Sequence, residues 1–261
     1  MTNYVSQEMG RDIVFSALTG SHNYNLQTVG SDKDFKIFVA PTFEDMYGSK
    51  PYSKSIITDT VDKDIHDIRK FPELMWKSNI AFMEAMHSIS ITFFDTHHDA
   101  VQELISLADD IATINLPQLF KSSGGMFNQR LKKLNHATEG TQHLVDAHGW
   151  NTKEGMHTFR TLDLIIRFAE TDFKDFRKAL EYTNDEKDFL LAIKDGAFDQ
   201  QTFLAIVNRI HDKRFVPLKD KYCSQKPNEE LKLHLDDLVK GIVKDSMSQE
   251  LSKSIASEFV F

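Results

Sequence analysis

The periodicity of the chain changes near Phe71. Before that point the apolar residues fall in short β-prone runs, DIVFSAL (12–18), FKIFVA (35–40), SIIT (55–58) and VDKDIHDI (61–68), separated by turn-rich stretches. After it the spacing is helical. FPELMWKSNIAFMEAMHSI, DAVQELISLADDIATI, FNQRLKKLNHATEG, KEGMHTFRTLDLIIRFAETDF and NEELKLHLDDLVKGIVKDSM all place apolar residues three and four apart. Strands first and helices afterwards predict an α+β fold, a small N-terminal mixed β-sheet with a largely helical C-terminal half packed against it. We place the division near residue 100, with 1–100 as the sheet-bearing core and 101–261 as the helical region. KYCSQKPNEE (221–230) reads as a loop, with Asn228 as the N-cap of the last long helix.

With 261 residues, 41% of them hydrophobic, the chain can bury a full core as one large domain or two small ones. A net charge of −8 argues against a protein that coats nucleic acid non-specifically, which needs excess Lys and Arg. It leaves room for a local basic groove, or for an anionic ligand held through a metal ion. The single cysteine, Cys223, excludes an intrachain disulfide and fits a reducing compartment. MTNYVSQEMGRD has no signal-peptide character, and no window is apolar for long enough to span a bilayer. The expectation is a soluble, cytoplasmic protein with no membrane partner.

Phosphoryl and nucleotidyl transfer require carboxylates that converge on divalent ions. Asp32 and Asp34 meet that need if they enter a strand, because residues i and i+2 project from one face. The run FKIFVA that follows supports such a placement. Magnesium prefers carboxylate oxygens and water, so the site needs neither Cys nor His. Upstream, Gly20-Ser21 directly follows DIVFSALT; a glycine after a strand allows close backbone approach, and amides with a serine hydroxyl can cradle phosphate. Each piece alone is common, and the ordered combination is what points to this chemistry.

Gly20-Ser21, then Tyr24 and Leu26, then Ser31-Asp32-x-Asp34 resembles the signature of the DNA polymerase β superfamily of nucleotidyltransferases. Within it the sequence is most similar to the RNA repair pathway polymerase-β-like branch. The resemblance extends through KSNIAFMEAM, where Asn79 precedes Glu84 by five residues, SGGMFNQRLKKL, TKEGMHTFRTL, IKDGAFDQQTFL and QKPNEELKLHL, covering roughly 12 to 240. Two departures stand out. The family often has Gly where Asn25 stands, and an Asn-Pro pair where this chain has Asn79-Ile80. Neither removes a metal ligand.

The resemblance implies a third carboxylate from a later strand. In VDKDIHDIRKF, Asp62, Asp64 and His66 share one face of a strand and Asp67 the other. Asp64 is the first choice and Asp62 the second; the alternative is a solvated acidic turn. Lys153, His157 and Arg160 share one helical face, which Arg167 extends, and Asn151 with Glu154 makes a capping-box-like start. That face reads either as a phosphate-binding surface or as a solvated basic stripe with His157 at the core edge. Asn79 and Glu84 could support the site, or serve as an N-cap and as a buried partner of a basic side chain. His97-His98 and His136/His143/His148 lack a matching ligand set, so no zinc site is assigned.

The family therefore implies metal-dependent transfer of an NMP from an NTP to an acceptor hydroxyl, with RNA or tRNA as acceptor. Asp32, Asp34 and Asp64 would bind Mg²⁺ (or Mn²⁺), while Gly20, Ser21, Tyr24 and Ser31 would join Lys153, His157 and Arg160 around the nucleotide. Two rival readings remain: a non-catalytic nucleotide- or RNA-binding module on the same scaffold, and a transferase that modifies a protein side chain.

Overall fold

Arg11–Thr19 forms a nine-residue strand with buried residues on both faces, as a central strand requires. A computed structural model describes residues 7–258 of the chain and builds the rest of the sheet around this strand. The strands are β1 (Gln7–Glu8), β2 (Arg11–Thr19), β3 (Lys33–Val39), β4 (Ser53–Ile57), β5 (Val61–Asp67) and β6 (Ile91–Phe93). They lie in the order β1-β2-β3-β5-β4, with β6 also on β2. β3 and β5 run parallel and the other pairs antiparallel, so the sheet is mixed. β6 arises from SITFF, between two helical runs, and was not expected. It completes the sheet against Phe15–Ala17 of β2.

Alternation along β3 and β5 sorts their residues. Ile37, Val39 and Ile65 join Ile13 in a small apolar cluster on one face, with Phe35 against it. The opposite face carries Asp34, Lys36 and Phe38 on β3, and Asp62, Asp64 and His66 on β5. Phe38 stacks on Phe15 with ring centroids 4.9 Å apart and meets Phe71 edge-on at 5.4 Å. Each such fully buried ring contributes on the order of 2–3 kcal/mol. Apolar residues therefore fix the C-terminal half of β3 under the helices, and the charged residues at the strand starts mark where the helices stand off.

The helices follow in chain order: α1 (Gly20–Asn23), α2 (Phe43–Tyr47), α3 (Phe71–Trp76), α4 (Ile80–Met86), α5 (His98–Ser106), α6 (Ala108–Thr113) and α7 (Leu116–Lys133). Beyond them lie α8 (Gln142–His148), α9 (Thr152–Glu170), α10 (Phe176–Leu180), α11 (Asn184–Lys194), α12 (Gln200–Ile210), α13 (Lys219–Cys223) and α14 (Glu229–Glu258). The expected helix from Phe71 breaks in two. Ser78 takes φ +47°, and the Asn79 side chain accepts from the Ala81 amide at 3.2 Å, starting α4 afresh. Ile80 is thus the first residue of α4, the position where a proline is best tolerated, which accounts for the family's Asn-Pro.

α9 is the central helix. The Asn151 side chain caps it through the Glu154 amide at 3.1 Å, as the sequence predicts, and eleven of its residues are buried. Gly155 lets it pass Trp150: a Cβ there would strike the indole, itself stacked on Phe203. α14 buries Leu231, Leu235, Val239 and Ile242 along one stripe and is capped by Asn228. The expected loop at 221–230 is shorter than the sequence suggested. Tyr222 and Cys223 belong to α13, which the Tyr222 hydroxyl anchors by donating to the Ile165 carbonyl at 2.7 Å. One apolar cluster runs from Val14 on the sheet to Ile242 on α14. Among the described residues no helix is long and apolar enough to cross a membrane.

Candidate active site

β2 ends at Thr19, directly opposite Asp34 in the antiparallel ladder, and Asp34 in turn lies opposite Asp62 in the parallel one. Three strands thus bring the Gly20 turn, Asp34 and Asp62 to the same end of the sheet. Gly20 has φ +69°, and a Cβ on it would collide with the Asp34 carboxylate. Only glycine lets the turn lie this close to the acid. Asp32 precedes β3 in a turn closed by Ser31, whose amide donates to the Thr28 carbonyl and whose hydroxyl accepts from the Thr28 amide at 2.9 Å.

Carboxylate oxygens of Asp32, Asp34 and Asp62 lie within 4.8 Å of one another. Burial, and then the charges of Asp32 and Asp62, push the Asp34 carboxyl above its ordinary range, against the pull of Lys153 and Lys36. An acid whose ionisation its two neighbours oppose, beside a turn that a Cβ would block, suits a divalent cation with oxygen ligands.

Asp64, the first choice for the third acid, stands elsewhere. It shares the face of Asp62, but the parallel register sets it opposite Lys36 rather than Asp34. Its carboxylate accepts from the Lys36 ammonium at 2.9 Å and the Ser55 hydroxyl at 3.2 Å, and His66 Nε2 lies 2.9 Å from it. Although partly buried, it is held far below the usual carboxylate range by His66 and Lys36. The runner-up, Asp62, is the residue that completes the cluster.

Across a cleft of about 530 Å³ the acids face helices. Lys153, His157 and Arg160 line it from α9, as their spacing predicts. Arg130 from α7 and Lys194 from α11 join them; the sequence had not singled these out, since they come from distant segments. The Arg160 guanidinium lies 3.6 Å over the Tyr24 ring. His157 is pushed well below its ordinary value, first by burial and then by Arg160, Arg130, Lys153 and Lys194. Arg167 does not extend this face: it donates to the carbonyls of Lys178 and Glu181 and secures α10.

Glu84, on α4, is buried, and burial pushes its carboxyl up to about 8 against the opposing pull of Arg160 and the Gly20 amide. It therefore sits under the Gly20 turn as a largely protonated acid at neutral pH. Asn79, by contrast, is the cap of α4.

The helical half also holds the turn itself. The Tyr182 amide donates to the Tyr24 carbonyl at 3.1 Å, Asn25 Nδ2 to the Tyr182 carbonyl at 2.9 Å, and Lys187 Nζ to the Gln27 carbonyl at 2.7 Å. Asn25 has φ +62°, a left-handed conformation that glycine and asparagine adopt most readily, which explains why Asn stands for the family's Gly. Asn23, fully buried, accepts from Arg177 at 2.7 Å and from the Ile89 amide at 3.0 Å.

The family model of the RNA repair pathway DNA polymerase beta family matches residues 3–239. No curated protein and no solved structure matches the chain.

Proposed function

Because the chain belongs to the RNA repair pathway DNA polymerase beta family, we propose that it moves a nucleoside monophosphate from an NTP to an acceptor hydroxyl carried by RNA or tRNA. The observation that carries this reading is the opposition of charge across one cleft. Asp32, Asp34 and Asp62 lie on the sheet side, and Arg130, Lys153, Arg160 and Lys194 on the helical side. A metal–triphosphate complex has the complementary pattern, cationic towards the acids and anionic towards the helices.

Asp32, Asp34 and Asp62 would hold Mg²⁺ or Mn²⁺, which when bound neutralises phosphate charge and sharpens the electrophilic phosphorus. Gly20 and Ser21 cradle the β- and γ-phosphates beside Asp34. Ser31 fixes the turn that presents Asp32. Tyr24 carries Arg160 on its ring and so aims the guanidinium across the cleft, where Lys153 and His157 complete the grip on the triphosphate. The acceptor oxygen bonds to the α-phosphorus, the bond to the bridging oxygen breaks, and pyrophosphate leaves. The hydroxyl proton passes to an acid of the cluster. We assign that part to Asp62, the member furthest in sequence from the phosphate turn.

The test follows label from each α-labelled NTP with Mg²⁺ or Mn²⁺ into a pool of small RNAs, beside Asp32→Ala/Asp34→Ala. Label in RNA that disappears in the variant supports the proposal. Label on protein alone transfers the acceptor to a side chain, and NTP binding without transfer points to a non-catalytic module.

A further inference from the structure

The cationic wall is richer than the α9 face alone, and its centre is an imidazole. α7 supplies Arg130, α9 supplies Lys153 and Arg160 one turn to either side of His157, and α11 supplies Lys194. Arg160 Nη1 lies 3.4 Å from His157 Nδ1. The anions facing this group are few. Glu154 is bound to Arg130 at 2.9 Å, Glu84, on α4 beneath Arg160, is buried, and Asp34 across the cleft is within the pull of Lys153. Among the described residues Lys153 and Lys194 form no ion pair, and Nε of both Arg130 and Arg160 is buried without a hydrogen-bond partner. Like charges from three helices gathered around one ring are unfavourable until an anion joins them.

We propose that Arg130, Lys153, Arg160 and Lys194 enclose His157 as a seat for a polyphosphate tail, and that the seat takes up a proton at His157 when the tail arrives. The inference rests on the nucleotidyl-transfer reading and adds two features to it: direct ligands from α7 and α11, and a proton linked to binding. In the free protein the four cations and burial keep the imidazole neutral. A tail of several negative charges cancels the cations and gives the ring a counter-charge, so its affinity for a proton rises. No bond is made or broken; the proton comes from solvent and rests on the imidazole.

The probe is inorganic tripolyphosphate, which carries the tail and no nucleoside, titrated calorimetrically into the full chain with Mg²⁺ near pH 6.5. Two buffers of different ionisation heat count the protons, and an NMP serves as the single-phosphate comparison. The expected result is tight binding of tripolyphosphate over NMP, and a loss of about tenfold in affinity for Lys194→Ala, the scale of one charge-assisted contact. The ligand's own proton release is common to the wild-type chain and His157→Gln, so subtracting the His157→Gln count from the wild-type count should leave an uptake of up to one proton. Should His157→Gln fold poorly, His157→Asn supplies the same reference count. Binding that Lys194→Ala leaves unchanged, or a proton count that is the same with and without the His157 imidazole, overturns the inference while label transfer from NTP keeps the wider reading. Absence of both tripolyphosphate binding and label transfer overturns the two together.

Discussion

Glu84 places an acid where only its protonated form is comfortable. Its carboxyl ionises near 4.5 when unfolded and is pushed up to about 8 in the fold. A folded-state pKa above the unfolded one means stability that is complete below about 4.5 and is lost as pH rises through about 8, on the order of 5 kcal/mol in all. Glu84→Gln keeps the shape and removes that loss. Urea midpoints of variant and wild type should therefore diverge in the variant's favour from pH 5 to pH 8; a constant difference would contradict the buried acid. Asp62 and Asp64 separate by a different measurement. Asp62→Asn should reduce label transfer by at least a hundredfold. Asp64→Asn should act chiefly on stability, by about 1–3 kcal/mol, since it strands Lys36 and His66. The acids themselves were legible in the sequence because the i, i+2 rule fixes a face. The rule could not choose between Asp62 and Asp64, since both obey it, and the choice lies in the register of β5 on β3, a non-local property.

The Gly20 turn and α4 show how much of an element can be read locally. The caps at Asn151 and Asn228 were visible because Asn before a helical run has a local partner three residues on. The break between α3 and α4 was not, because the apolar spacing continues across it and the signal is one left-handed residue, Ser78. β6 was hidden for the opposite reason: three residues are too few for alternation to register, and only β2 gives them a role. The turn from Gly20 to Gln27 carries two residues with positive φ that have different tolerances. Gly20→Ala should be destabilising by roughly 1–2 kcal/mol for its φ alone and should also displace Asp34, so divalent-ion protection against heat disappears with it. Asn25→Gly should be nearly neutral in melting temperature, and Asn25→Val should lower it by several degrees; equal effects would remove φ as the reason for asparagine at this position.

At the scale of the molecule, the cleft separates charge between its two walls, and either wall alone is under repulsion. On the proposed function, Mg²⁺ would relieve the acids and a triphosphate the helices. Melting temperature should therefore rise modestly with either partner and by more than the sum of the two when Mg²⁺ and a non-hydrolysable NTP are present together. The total should approach 2.7 kcal/mol at a hundredfold excess over the dissociation constant. Strict additivity would mean two independent sites rather than one cleft. The sequence exposed two of the three acids, compressed into one stretch with their turn, but only the α9 part of the basic wall, because Arg130 and Lys194 meet it from helices far away in the chain. The bonds from Tyr182 and Lys187 to the turn have a further consequence for a chain made from its N-terminus. By the time residue 62 has left the ribosome all three acids are present, yet the strap that steadies the loop before them is more than a hundred residues away, and Lys194 later still. Truncated products ending upstream of Arg130 would carry the acids without any residue of the basic wall, so an interrupted translation leaves no cleft with both walls.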